Sequence, residues 1–68
     1  MVRFRVKELA EAKGLSMNRL SRMADVNIKT VKRIYDDPTY SPTVNTLERF
    51  AKALGVPTGS LIEDVPEE

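Results

Sequence analysis

Apolar residues recur every three or four positions along most of the chain, which is the spacing of helices with one buried face. Glycines, prolines and polar cap residues interrupt this spacing and divide it into short segments. None of the segments is long enough to form a stable helix alone, so each one needs the others to cover its apolar face. The pattern predicts five helices, over residues 6–13, 17–24, 28–36, 44–54 and 58–63.

Cap residues indicate where the helices begin and end. Ser16 and Asn27 each precede a helical stretch, and their side chains can accept a backbone N–H of the first turn. Near the start of the fourth helix, Asn45 and Glu48 have the spacing of a capping pair. Gly55 marks the end of that helix, because glycine tolerates the left-handed backbone of a helix C-terminus.

The two ends of the chain differ from its middle. Residues 2–6 alternate apolar and basic side chains, which indicates either a short strand or the lead-in to the first helix. Thr58 is a candidate cap for a final short helix that carries Leu61 and Ile62. The acidic residues 63–68 are expected to fray.

The same spacing predicts which side chains form the core. The second helix contributes three inward positions, the third two and the fourth five. In chain order the predicted core positions of these helices are Leu20, Met23, Ala24, Val31, Ile34, Val44, Leu47, Phe50, Ala51 and Leu54.

Composition narrows the classes of protein. The 68 residues are expected to form a single domain over residues 1–68, with no cysteine for a disulfide and no histidine for a metal or a general base. We therefore expect no enzyme activity, no cofactor, no metal and no small-molecule ligand. The uninterrupted apolar stretches are only a few residues long, too short to span a membrane, and no signal peptide is visible, so we expect a soluble, cytoplasmic protein without a membrane partner.

Charge is distributed unevenly along the chain. Residues 1–35 contain nine basic and three acidic side chains, a net charge of +6, whereas residues 36–68 contain two basic and seven acidic, a net charge of −5. A basic half suggests a polyanionic partner, and chance asymmetry of a solvated surface is the alternative.

The connection between the second and third helices is unusually short. Only Asp25, Val26 and Asn27 separate them, and such a connection forces a steep angle, as in a helix-turn-helix. This geometry requires a small residue facing the next helix, which Ser21 or Ala24 supplies, and a turn residue that tolerates left-handed backbone. It also requires Val26 to fill the core.

The stretches LSMNRLSRMADVNIKTVKRIYDD and SPTVNTLERFAKALGVPTGSLI resemble the Cro and phage-repressor family of helix-turn-helix domains. The resemblance covers residues 6–62 and implies an all-α, compact five-helix, lambda-repressor-like fold. It also implies a bacterial or phage transcription regulator, with repression as the expected role, that binds double-stranded DNA with the helix over residues 28–36 in the major groove.

Two positions depart from the family pattern. Asp25 stands at the turn position that is usually glycine, and aspartate enters the left-handed region more readily than most residues. Met17 stands where a glutamine often contacts phosphate, so Asn18 or Arg19 is expected to take over that contact.

Carried over by position, the resemblance implies three groups of DNA-binding residues. The residues that face the bases are Ile28, Lys29, Lys32 and Arg33. For Ile28, packing in the core or in a dimer surface is the alternative to a base contact. Asn27 and Thr30 bind phosphate or cap the helix, and flanking cations contact phosphate. The expected backbone contacts from outside the third helix are those of Lys13, Asn18, Arg19, Arg22, Thr39, Tyr40, Thr43 and Asn45. Tyr40 has packing over the fourth helix as its alternative.

A single domain of this size covers little DNA, so a homodimer is expected at least on DNA. Residues 2–6 and the last helix with Val65 are the candidate dimer surfaces, and a strand at residues 2–6 can pair with its mate or with the C-terminal tail. A protein-interaction module, such as an antitoxin or a co-activator adaptor with the same fold, is the alternative function.

Overall fold

The computed structural model describes residues 2–37 and 40–64, which form four α-helices and a two-stranded β-ribbon. In chain order the elements are β1 (Val2–Phe4), α1 (Val6–Ala12), α2 (Met17–Ala24), α3 (Ile28–Asp36), α4 (Val44–Leu54), a 3₁₀ turn (Thr58–Leu61) and β2 (Ile62–Asp64). The predicted bounds of α2, α3 and α4 are confirmed. Helix α1 ends one residue before the predicted position, with Lys13 as its C-cap. Within the described ranges, no helix combines the length and the apolar content that crossing a bilayer requires.

The core lies where the four helices and the 3₁₀ turn meet. Phe50 of α4 has no exposed surface and is the largest fully buried side chain. Residues from α1, α2, α3 and the 3₁₀ turn join it in one cluster, so burial of each helix depends on the others. The buried apolar residues of this cluster are Val6, Ala10, Leu20, Ala24, Val31, Leu47, Phe50, Ala51, Leu54 and Leu61.

The predicted fifth helix, residues 58–63, is wrong, whereas the predicted helical class holds in the coarser sense of a mostly helical fold with a short two-stranded ribbon. The chain forms one 3₁₀ turn and then enters β2, without a side-chain cap from Thr58. Gly59 weakens any helix here. At Ile62, which is β-branched, cross-strand pairing with Phe4 replaces the helical periodicity that Leu61 and Ile62 suggested.

The strand interpretation of the N-terminal segment is confirmed for β1, which ends two residues before the predicted limit because Val6 begins α1. β1 pairs antiparallel with β2 of the same chain, with Arg3 opposite Glu63. The Arg5 backbone N–H donates to the Leu61 carbonyl over 2.7 Å and continues the ladder. Intramolecular pairing with the C-terminal segment is therefore the arrangement that the structure shows.

Three predictions about individual side chains are wrong. Met23 is half exposed, because Met17, Leu20 and Ala24 form the inward stripe of α2 and Met23 lies beside it. Val44 is 67% exposed, since it lies in the first turn of α4, ahead of the part that packs. Asn45 does not cap α4. Thr43 does, by accepting the backbone N–H of Thr46 over 3.2 Å.

Candidate functional site

The α2–turn–α3 unit is built by local hydrogen bonds. The Ser16 Oγ accepts the Arg19 backbone N–H over 3.1 Å and begins α2, as predicted. The Asn27 Oδ1 accepts the Lys29 backbone N–H over 2.8 Å and begins α3, also as predicted. Between them, the Ser21 hydroxyl donates to the Val26 carbonyl, so the small residue of α2 fastens the turn. Val26 itself is half-buried against the core.

The turn depends on one left-handed residue, as predicted. Asp25 has φ 55° and ψ 46° and is the C-cap of α2. Arg49 of α4 holds it in place, because its Nη1 donates to the Asp25 carbonyl over 2.8 Å and lies 3.4 Å from the carboxylate Oδ2. The sequence pattern did not reveal this tie, since the two residues are 24 positions apart.

We expect Asp25→Gly to change the free energy of unfolding by less than about 0.5 kcal/mol, and Asp25→Ala to lower it by about 1 kcal/mol. Glycine removes the left-handed strain and keeps the carbonyl bond, and the carboxylate that it loses is almost fully exposed and contributes little. Alanine keeps the strain without the polar side chain that tolerates it. Urea unfolding followed by circular dichroism tests both, and a glycine variant less stable than the alanine variant would contradict this account.

The structure exposes most of the residues that the resemblance implies. Ile28, Thr30 and Tyr40 are half-buried, and Ile28 packs partly against the core. Thr39 lies outside the described residues. The exposed members are Lys13, Asn18, Arg19, Arg22, Asn27, Lys29, Lys32, Arg33, Thr43 and Asn45.

Among the described residues, ion pairs engage some of the cations and leave others without a carboxylate partner. Arg3 pairs with Glu8 and Glu63, and Arg5 pairs with Glu8. Arg49 of α4 also forms an ion pair, with Asp25 of the turn. In contrast, no carboxylate of residues 2–37 and 40–64 pairs with the exposed cations of α2 and α3, which are Arg19, Arg22, Lys29, Lys32 and Arg33. Like Lys7, Lys13 and Lys52, these five cations form no ion pair within the described ranges, and a concentration of such cations on two neighbouring helices attracts a polyanion.

Two of the implied residues contact each other. The Cζ atom of Arg33 lies 4.8 Å from the centroid of the Tyr40 ring, within the range of a cation–π interaction. The ring of Tyr40 thus contacts α3, and no local sequence pattern predicts this contact.

The caps limit what several side chains can do. The side-chain carbonyl oxygen of Asn27 accepts the capping hydrogen bond from Lys29, whereas the two N–H groups of its side-chain amide can donate to a ligand. Thr43 both accepts the Thr46 backbone N–H and donates its hydroxyl to Thr46 Oγ1 over 3.0 Å. The Thr43 hydroxyl is therefore engaged within α4, whereas the neighbouring Asn45 side chain is exposed.

Behind this face, Tyr35 of α3 has a buried hydroxyl without a hydrogen-bond partner among the described residues. The Lys7 ammonium lies 6.0 Å from the centroid of its ring. Burial raises the pKa of Tyr35 above its ordinary value of 10.0, and the negative charge of Glu11 raises it further. The phenol is therefore held in its neutral form without a hydrogen bond to stabilise it.

We expect Tyr35→Phe to raise the free energy of unfolding by about 1 kcal/mol, because the buried hydroxyl loses water on folding and gains no partner. Wild-type stability should also decline above pH 10, where the unfolded chain ionises Tyr35 before the folded chain does, and the phenylalanine variant should lack this part of the decline. Thermal unfolding at pH 7 and pH 10.5 measures both effects. A phenylalanine variant less stable than wild type at pH 7 would show that the hydroxyl has a partner.

Comparison with known families places these observations in context. The profile of the Cro/C1-type helix-turn-helix DNA-binding domain matches residues 5–67, almost the whole chain. A search of curated proteins finds no match to the chain.

Proposed function

Because the chain belongs to the family of Cro/C1-type helix-turn-helix DNA-binding domains, we propose that it is a transcription regulator that binds a specific sequence of double-stranded DNA through α2 and α3. The observation that carries the proposal is the set of exposed cations on these two helices that no described carboxylate neutralises. Such cations bind phosphates with release of counterions, which supplies affinity. The compartment of action is the one that holds the DNA, which in a bacterium is the cytoplasm.

Specificity comes from α3. In a helix-turn-helix, the second helix enters the major groove with its N-terminal residues at the base edges. Lys29, Lys32 and Arg33 then present donors to guanine, and the exposed part of Ile28 contacts a thymine methyl group. Asn27 and Thr30 lie at the start of this helix, where phosphate contacts fix its register.

Residues around α3 supply the remaining phosphate contacts. Arg19 and Arg22 of α2, with Asn18 beside them, contact phosphate on this flank. Met17 cannot, because its thioether has no hydrogen to donate, and it packs half-buried against the core. At the start of α4, backbone N–H groups near Asn45 favour an anion. Lys13 contributes to the same attraction from the end of α1.

We propose repression as the role of the bound protein, since a repressor needs only to occupy DNA that another protein must use. We also propose that it binds as a homodimer. One copy covers too few base pairs for a selective site, whereas two copies related by a two-fold axis cover two half-sites.

The β-ribbon offers a surface for this dimer. Arg5 and Leu61 form a hydrogen-bonded pair, and such pairs alternate with non-hydrogen-bonded pairs along an antiparallel ladder. Phe4–Ile62 and Val2–Asp64 are therefore non-hydrogen-bonded pairs, whose backbone N–H and C=O groups point to the outer edges of the ribbon. Val2 and Ile62 are also 48% and 42% exposed, which favours burial against a second copy.

The proposal is tested by selection from a pool of random duplex DNA at two salt concentrations, followed by sequencing. Enrichment of a short, roughly palindromic motif supports sequence-specific binding, and the spacing of its halves reports the dimer. Weak, strongly salt-dependent binding without an enriched motif indicates phosphate attraction alone. That outcome favours a protein-interaction module, such as an antitoxin or a co-activator adaptor.

Analytical ultracentrifugation with and without the selected duplex measures the stoichiometry. Two copies on one duplex support the dimer. One copy per duplex at saturating protein contradicts it and leaves the DNA-binding proposal intact.

A further inference from the structure

The ring of Tyr40 lies against the side chain of Arg33 on α3. Its backbone is fixed near this position, because the Tyr40 N–H donates to the Asp37 carbonyl over 3.1 Å and Pro42 is buried two residues later. The Arg33 Cζ to ring-centroid distance of 4.8 Å places the guanidinium over the aromatic ring. The segment that follows α3 therefore folds back onto a cation of α3.

This contact leaves the hydrogen-bonding capacity of Arg33 intact. A cation–π interaction uses the face of the ring and one side of the guanidinium. The five N–H donors of arginine lie in the guanidinium plane, where they can form two parallel bonds to guanine O6 and N7. No carboxylate in the described ranges pairs with Arg33, so these donors are not used within that part of the protein.

We propose that Tyr40 is a positioning residue for base recognition: its ring orders the Arg33 guanidinium before DNA arrives and so sets the preference at the base pair that Arg33 contacts. The inference rests on the proposed function. An arginine on a free helix surface has many rotamers, and ordering it on binding weakens the complex. Ordering it in advance is expected to strengthen binding about two- to tenfold.

Two other roles for Tyr40 make different predictions. If its hydroxyl binds phosphate, removing the hydroxyl should weaken binding to every sequence. If the ring only supports the fold, changes should lower stability without altering base preference. The conservative variant Tyr40→Phe keeps the ring and loses the hydroxyl, whereas Tyr40→Leu keeps apolar bulk and loses the aromatic face.

The test compares wild type, Tyr40→Phe, Tyr40→Leu, Arg33→Ala and the double variant Arg33→Ala with Tyr40→Leu. Each is titrated with the selected duplex and with duplexes changed at single base pairs. We expect Tyr40→Phe to match wild type, and Tyr40→Leu to lose about two- to tenfold in affinity together with discrimination at the base pair to which Arg33→Ala maps. In the Arg33→Ala background, Tyr40→Leu should have no further effect.

Three results would overturn the proposal. These are an equal loss from Tyr40→Phe and Tyr40→Leu, a loss from Tyr40→Leu that is the same for all duplexes, and a loss that persists without Arg33. Thermal unfolding of each variant identifies any that fail to fold. For that case, NMR of the free wild type supplies an independent measurement: a ring-current shift of the Arg33 side-chain protons supports the contact, and its absence overturns the proposal.

Failure of this proposal is distinguishable from failure of the proposed function. If wild type shows no preferred duplex, sequence-specific binding itself is contradicted, and the role of Tyr40 falls with it. If wild type has a preferred duplex and Tyr40→Leu keeps the same preference, only the positioning role is contradicted.

Discussion

Replacing Lys29 and Arg33 together by alanine is expected to weaken binding to the preferred duplex by about 30-fold to 20,000-fold, because each good base contact contributes roughly 1–3 kcal/mol. Both side chains are exposed on α3, and neither pairs with a carboxylate of the described chain, so their removal should cost little stability. Titration of the preferred duplex and of duplexes changed at single positions measures both the loss of affinity and the loss of base preference.

A matched control separates base recognition from general attraction. Lys7→Ala with Lys52→Ala removes the same two positive charges from exposed positions of α1 and α4, outside the α2–turn–α3 unit. This control should bind a few-fold more weakly through reduced attraction and should keep the base preference of wild type. If it loses as much preference as the α3 variant, α3 is not the element that contacts bases.

Phe50→Ala is expected to lower the free energy of unfolding by about 3–5 kcal/mol, because it leaves a cavity where a phenyl ring is completely buried. A domain of this length has a total free energy of unfolding of roughly 3–10 kcal/mol, so the variant should lose most of its stability and unfold near physiological temperature. Circular dichroism during heating tests this, with an expected fall in Tm of about 12 °C or more.

Val44→Ala is the control for this prediction. Val44 is another apolar residue of α4, but it is 67% exposed, so its removal should change stability by less than about 0.5 kcal/mol. A small effect at Phe50, or effects of equal size at both positions, would show that the core does not lie where the structure places it.

The middle of the fold could be predicted because its determinants are local. Ser16, Asp25 and Asn27 each act on residues within a few positions, through a cap or a left-handed backbone. Short stretches of sequence are therefore enough to show these effects, and the caps they predict give the bounds of α2 and α3. The apolar spacing of α4 adds a third helix by the same logic.

Errors arose where distant residues decide the structure. Residues 58–63 have a helical spacing, but the segment forms a 3₁₀ turn and a strand, because β1, which contains Phe4, provides a strand with which residues 62–64 form backbone hydrogen bonds. The contact of Arg49 with Asp25 likewise joins positions that no local pattern connects. The spacing of apolar residues carries no information about such partners.

The candidate site was predictable to a similar depth. The apolar periodicity is enough to predict that Lys29 and Arg33 lie on the exposed side of α3, and both side chains are exposed in the structure. Periodicity cannot tell how far Ile28 packs inward or that the Tyr40 ring meets Arg33, since both depend on tertiary contacts.

The β1–β2 ribbon also bears on the order in which the protein folds. It joins residues 2–4 to residues 62–64, so it closes the longest loop among the paired elements. Loop closure lowers chain entropy more as the loop lengthens, and contacts of high sequence separation are slow to form. During synthesis, α1 through α4 leave the ribosome before β2, so β1 cannot pair with β2 until all four helical segments have been made. We therefore expect the two strands to be the last part of the described fold to form and, when the protein unfolds, the first to open.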